Sequence, residues 1–200
     1  MRDEPGGTPR LVTSGLIDPL RLRWGERVCR YDRRRWRHPV VDLDRVDDAV
    51  EGWVVARLVP KVLVATQTRT VEAVVDPDGS LVPSTPVVSV EPSGPVPSLW
   101  HLAAVLSSPV VAALVATTAA GSALSRDAMR VSARTVAALP LPADAAAWDA
   151  AAEAAERAQL GGDDGALRVC AARTLAAYGV EGRTDLLEWW APRLPGARRG

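Results

Sequence analysis

Phenylalanine is missing from this 200-residue sequence, lysine occurs once, and cysteine and histidine occur twice each. With seven Trp and two Tyr as the only aromatics, a core has to be built mainly from Val, Leu and Ala. Cys29 and Cys170 stand far apart without a Cys-x-x-Cys spacing. A structural zinc site takes about four Cys or His ligands, so none is expected. Nuclease-type metal sites combine clustered carboxylates with a lysine; Lys61 is the only lysine, and no Glu-x-Lys occurs. No apolar run reaches the roughly 18 residues that a membrane helix needs. Residues 102–120 come nearest, but Pro109 and several Ser and Thr interrupt them. The polar opening MRDEPGGTPR lacks the apolar stretch of a signal peptide. A cytoplasmic protein with reduced thiols is therefore the expectation.

Recognisable catalytic signatures are lacking too. There is no Gly-x-Ser-x-Gly nucleophile elbow and no Walker-type phosphate loop. Gly161-Gly162-Asp163-Asp164-Gly165 follows a helical stretch and carries acids, which suits a linker better than a phosphate cradle. His38 and His101 have no nucleophile or acid at a suggestive spacing. The chain contains no Pro-Pro pair, so it cannot form the Asp/Asn-Pro-Pro-aromatic loop with which adenine methyltransferases hold a flipped base. No catalytic residue and no cofactor site is assigned to this chain.

What is present is nearly half apolar, enough for a folded core. Charge balances at 24 basic against 24 acidic side chains, whereas a free-standing DNA-binding domain is usually basic. The distribution is uneven. Residues 21–38 hold eight Arg (Arg21, Arg23, Arg27, Arg30, Arg33, Arg34, Arg35 and Arg37), and residues 42–51 hold Asp42, Asp44, Asp47, Asp48 and Glu51. The two blocks either pair with each other or sit on a solvated face, unless the basic one has a role of its own.

Residues 1–10, rich in Gly, Pro and charge, read as a flexible leader. Val62, Leu63 and Val64, then Val71, Ala73 and Val75, then Val87, Val88 and Val90 read as strands, with a turn at Asp76-Pro77-Asp78-Gly79. Ser98 is placed to cap one helix and Ser108-Pro109 to open another. Ser125 is placed to cap a short turn at residues 126–129, and residues 130–139 read as extended. An Ala-rich helix over 143–160 stops at Gly161-Gly162, a second covers 165–178, and a third covers 183–190. The expected fold is α+β, a small mixed or antiparallel sheet with packed helices. It occupies residues 11–142 and is followed by a helical extension over 143–200, whose Ala146, Ala150, Ala154 and Ala158 face suits dimerisation or docking.

Three stretches carry an ordered pattern. The first is Ser14-Gly15-Leu16-Ile17-Asp18-Pro19, Arg23-Trp24-Gly25 and Arg35-Trp36-Arg37-His38-Pro39. The second is Pro60-Lys61-Val62-Leu63-Val64-Ala65, Thr68-Arg69-Thr70-Val71-Glu72-Ala73 and Asp76 to Gly79. The third is Leu102 to Leu106, Ser107-Ser108-Pro109, Ala120-Gly121, Arg130-Val131 and Leu139-Pro140-Leu141-Pro142. Together they resemble the TaqI-like C-terminal specificity domain of type IIG and related restriction-modification adenine methyltransferases, over residues 11–142. Ser107 stands where that pattern has Asn, and the catalytic domain of such proteins has no counterpart here.

The resemblance implies sequence-specific recognition of double-stranded DNA. Adenine-N6 methylation would come from a catalytic domain or subunit outside this sequence, which would bind the S-adenosylmethionine. Base edges are read by forked side chains, Arg on guanine and Gln or Asn on adenine. Thr66-Gln67-Thr68-Arg69-Thr70 is therefore the candidate reading loop, or else a plain polar turn. Lys61, Arg126, Arg130, Ser132 and Arg134 are candidate phosphate contacts, the last three on one face of an extended segment. The Arg21–Arg37 block, with Arg21 and Arg23 as candidate DNA contacts, suits backbone contact or docking to the catalytic partner. Trp24 and Trp36 either stack on bases or fill a core. The competing expectation is a non-enzymatic protein-interaction module, or a specificity fragment that has lost DNA binding.

Overall fold

A computed structural model describes residues 1–92, 94, 96–118, 129–162 and 164–197. In chain order the elements are β1 (Arg2–Asp3), β2 (Arg10–Val12), β3 (Ile17–Asp18), β4 (Arg21–Leu22), β5 (Cys29–Tyr31), β6 (Arg34–Trp36), β7 (Pro39–Val40), α1 (Asp48–Val55), β8 (Lys61–Ala65), β9 (Gln67–Thr68), β10 (Glu72–Asp76), β11 (Leu81–Pro83) and β12 (Val88–Val90). The helical half follows: α2 (Leu99–Leu106), α3 (Pro109–Thr118), β13 (Met129–Arg130), α4 (Ala133–Ala137), α5 (Ala145–Gly161), α6 (Asp164–Ala177) and α7 (Thr184–Trp190). The class is α+β, with small, mostly antiparallel sheets.

The β8–β10 hairpin is the centre of the molecule. It is antiparallel, with Val64 opposite Ala73 and Leu63 opposite Val74, and β12 pairs on the other side of β8. Every residue of both strands is buried. Side chains alternate between faces. Val62, Val64, Ala73 and Val75 join the main core with α2, α3, α5 and α6. Leu63, Ala65 and Val74 join a second core with Val12, Leu16 and Ile17. A sheet covered on both faces reads as a near-continuous apolar run, as VLVA of β8 and AVV of β10 do.

The turn after β10 closes as expected. Asp76 accepts from the Ser80 and Leu81 amides, both at 3.0 Å. Gly79 sits at φ +68°, where a Cβ would come within 2.8 Å of the Val59 backbone, so only glycine fits. The start of α3 follows Ser108 as expected, its hydroxyl accepting from the Val111 amide at 3.1 Å; Ser98 stands at the N-cap of α2 but makes no side-chain cap, its hydroxyl instead pairing with His101. The stop of α5 falls at Gly162, φ +63°.

Three expectations are corrected. The supposed leader belongs to a four-stranded sheet: β1 pairs with β7, and β2 pairs with β7 and β11. The stretch over 130–139 is not extended throughout. Ser132 caps α4, its hydroxyl accepting from the Thr135 amide at 3.1 Å, and residues 133–137 are helical. The tail is no appendage: Trp148, Ala151, Ala154, Ala155 and Ala158 of α5 lie in the main core beside the β8–β10 strands. Gln159 of α5 clasps β10, accepting from the Val75 amide at 2.8 Å and donating to the Val75 carbonyl at 2.7 Å. Of the expected Ala face, Ala154 and Ala158 are buried in the main core, Ala150 is half-buried, and Ala146 is exposed. The turn expected at 126–129 and Ala120-Gly121 fall mainly or wholly outside the described residues.

Candidate nucleic-acid interface

The polar segment after β8 is placed by a short antiparallel pairing. β9 meets β13, setting Gln67 opposite Arg130 and Thr68 opposite Met129. The Val131 amide adds a 2.9 Å bond to the Thr66 carbonyl. Met129 and Val131 are buried in the main core while Arg130 between them is exposed, so the alternation of the strand aims Arg130 outward beside the exposed Gln67. Two side chains capable of base-edge contact, 63 positions apart in the chain, thus share one ladder position.

Gln67, Thr68 and Arg69 line a cleft of about 350 Å³. Its other walls are Ser14, Gly15, Ile17, Asp18, Arg27 and Glu72, with Arg193 to Gly196 from the chain after α7. Gly15, Ile17 and Asp18 come from the first motif stretch and Arg69 and Glu72 from the second. The fold therefore brings the two stretches to one place.

The acidic groups of the cleft are neutralised in two different ways. Asp18, 4% exposed, is clamped by two arginines: Arg23 Nε donates at 2.6 Å, and Arg27 donates bidentately at 2.9 and 2.8 Å. Arg27 also donates to the Gly15 carbonyl at 2.8 Å. Glu72 carries its proton instead. Burial pushes its carboxyl up to about 8, the nearby Asp18 charge adds to the rise, and Arg27 only partly opposes it. Arg69 and Arg193 then stand in the cleft wall with Arg27, three guanidinium groups against the one carboxylate charge of Asp18 at neutral pH. The Nε of Arg69 is buried and has no hydrogen-bond partner among the described residues.

Other candidates are placed differently. Lys61 is no phosphate contact. It is fully buried, its ammonium donating to Asp76 at 2.5 Å and to the Val59 carbonyl at 3.0 Å, because the turn carboxylate needs a counter-charge inside the core. Thr70 is likewise fully buried, and Thr68 spends its hydroxyl on the Thr70 carbonyl. Ser132 is occupied as the α4 cap. Arg134 is exposed on α4 and does not continue a row with Arg130 on one strand face. Arg126 lies outside the described residues. Arg23 is tied to Asp18 in the cleft wall and to Glu26, and Arg21 reaches the exposed Glu26 at 3.2 Å.

Trp24 and Trp36 pack against the second core. Trp24 donates to the Pro39 carbonyl at 3.1 Å and meets His38 edge-on at 5.2 Å. Trp36 donates to the Tyr31 carbonyl at 3.0 Å. His101, paired at 2.8 Å with both Ser98 and Asp149, joins the start of α2 to α5. The imidazole contacts the hydroxyl through Nδ1 and the acid through Nε2, the reverse of a hydrolase triad, in which the base nitrogen facing the nucleophile is Nε2.

Sequence reasoning missed Arg27, Glu72 and Arg193 as cleft residues. Glu72 opens strand β10, EAVVD, and nothing local tells what covers it. Arg193 gave no signal either, since its position depends on how the tail folds back. Compared with protein-family models and with curated proteins, the chain matches none.

Proposed function

We propose that this chain is the DNA target-recognition domain of an adenine-specific methyltransferase of a restriction-modification system, acting in the cytoplasm. Catalysis and S-adenosylmethionine binding belong to a domain or subunit outside this sequence. The observation that supports the reading most is the pairing of Arg130 opposite Gln67, which itself lines a cleft whose acids are neutralised. The shared cleft of the first two motif stretches adds to it. In this reading Gln67 takes an adenine edge and Arg130 a guanine edge in the major groove, and Arg69 stands behind them.

The test is selection of duplexes from a randomised library by the full chain, followed by binding across a salt series. Wild type is expected to enrich one sequence and to bind it with a steep salt slope. Gln67→Ala or Arg130→Ala is expected to relax the preference at one base pair, a loss of about 1–3 kcal/mol there. Uniform weakening over all sequences would make the substituted residue a phosphate anchor; no enrichment by wild type would sink the reading. A protein-docking role is the second reading. It draws on α1, whose Val50, Trp53 and Val55 are each more than two-fifths exposed.

A further inference from the structure

A set of exposed arginines lies outside the cleft lining. β5 and β6 form a two-residue hairpin in which Arg30 faces Arg35 and Tyr31 faces Arg34, with Asp32 and Arg33 at the turn. Arg30, Arg33, Arg34 and Arg35 are all exposed. Their guanidinium groups have no hydrogen bond, ion pair or ring contact to other described residues. The acidic block at 42–51 does not serve them: Asp42 pairs with Arg2 and Arg45. Like charges directly opposite on a ladder destabilise it, and the turn holds both central residues at positive φ, 48° and 60°, without a glycine. The base of the hairpin is nevertheless fixed, with Cys29 buried and Trp36 packed on the second core. Since Cys29 and Trp36 point to the core, the Arg30–Arg35 pair points the other way, to solvent.

We infer that this hairpin is a backbone-binding ribbon for duplex DNA, in which Arg30, Arg33 and Arg35 contact phosphates independently of base sequence. A two-stranded ribbon is one of the elements that the B-DNA major groove admits, and phosphate contacts set register while base contacts specify. The inference rests on the proposed function only for the identity of the polyanion.

The experiment compares the full chain with its R30Q/R33Q/R35Q variant, the fold of both being checked by circular dichroism and thermal melting. Binding is measured to the selected duplex, to an unrelated duplex, and to vesicles of phosphatidylcholine with phosphatidylserine. The variant is expected to lose at least about tenfold in affinity for both duplexes equally, with the log–log salt slope shallower by about 2–3, near 0.9 per phosphate contact removed. Unchanged duplex affinity and slope overturn the inference while leaving base reading at Gln67 and Arg130 standing. Hairpin-dependent binding without sequence preference overturns target recognition and leaves the ribbon standing. Tighter binding to the vesicles than to either duplex overturns it in favour of a lipid surface. A variant that fails to fold is replaced by single R30Q and R35Q variants, each expected to lower the slope by about one.

Discussion

Glu72 shows how one residue couples the cleft to pH. Its proton is retained in the folded chain up to about pH 8, whereas in an unfolded chain it leaves near the ordinary 4.5. Between those values the folded state binds more protons than the unfolded state, so stability falls as pH rises through the window and levels off above it. The total is on the order of a few kcal/mol. Glu72→Gln keeps the shape and the neutral character, so its urea midpoint is expected to match wild type near pH 4.5 and to exceed it at pH 8.5. Duplex affinity of the wild type is expected to drop above pH 8, as a second negative charge appears beside Asp18, while the variant holds. A wild-type stability profile that is flat from pH 5 to pH 8.5 contradicts this. The role was hard to read because an acid in a strand gives no hint of what covers it. Lys61 misled for the same reason: a sole lysine suggests a surface charge, yet Asp76, 15 positions on, draws it into the core.

Among the elements, those with local chemistry were legible and those set by distant contacts were not. The turn at 76–79, the start of α3 and the stop of α5 depend on Asp, Ser, Pro and Gly within a few residues. So does α1, missed because Asp47, Asp48 and Glu51 read as an acidic block; Asp47 in fact caps the helix through the Val50 amide at 2.8 Å, and the other two sit in its first turn. Ser132 before an Ala-containing run was a cap of the same kind. The β5–β6 hairpin is different, since Asp32-Arg33 is not the Asn-Gly or Asp-Gly that such a turn favours. Arg33 at φ 60° carries a steric cost that glycine would not. Arg33→Gly is therefore expected to raise stability by up to about 1 kcal/mol while weakening duplex binding roughly as Arg33→Gln does. Thermal melts and a salt series on the two variants separate backbone strain from charge. If Arg33→Gly melts below both wild type and Arg33→Gln, the turn is not strained.

For the molecule as a whole, the main core spans the division expected at residue 142. The apolar pattern up to Pro142 suggested a complete domain because the strands and α2 each carry a convincing buried face. Nothing in the composition tells that the main face of β8–β10 is closed by the later Ala-rich helices. In the structure, Trp148 of α5 packs edge-on against His101 at 5.1 Å and donates to the His101 carbonyl at 3.0 Å, and Trp190 at the end of α7 is 1% exposed. Removing residues 143–197 would uncover Val75, Ala103 and Ala104 and leave the Val75 amide and carbonyl without Gln159. Burial is worth about 25 cal/mol per Å², and a domain's net stability is only about 5–15 kcal/mol. A chain ending at Pro142 is thus expected to lack a cooperative thermal transition and to bind a dye specific for exposed apolar surface, whereas the full chain melts in one step. The cleft would fall with it, since Arg193 to Gly196 form part of its wall. A truncated chain that melts cooperatively and still selects the same duplex would restore the two-part division and make the tail an accessory after all.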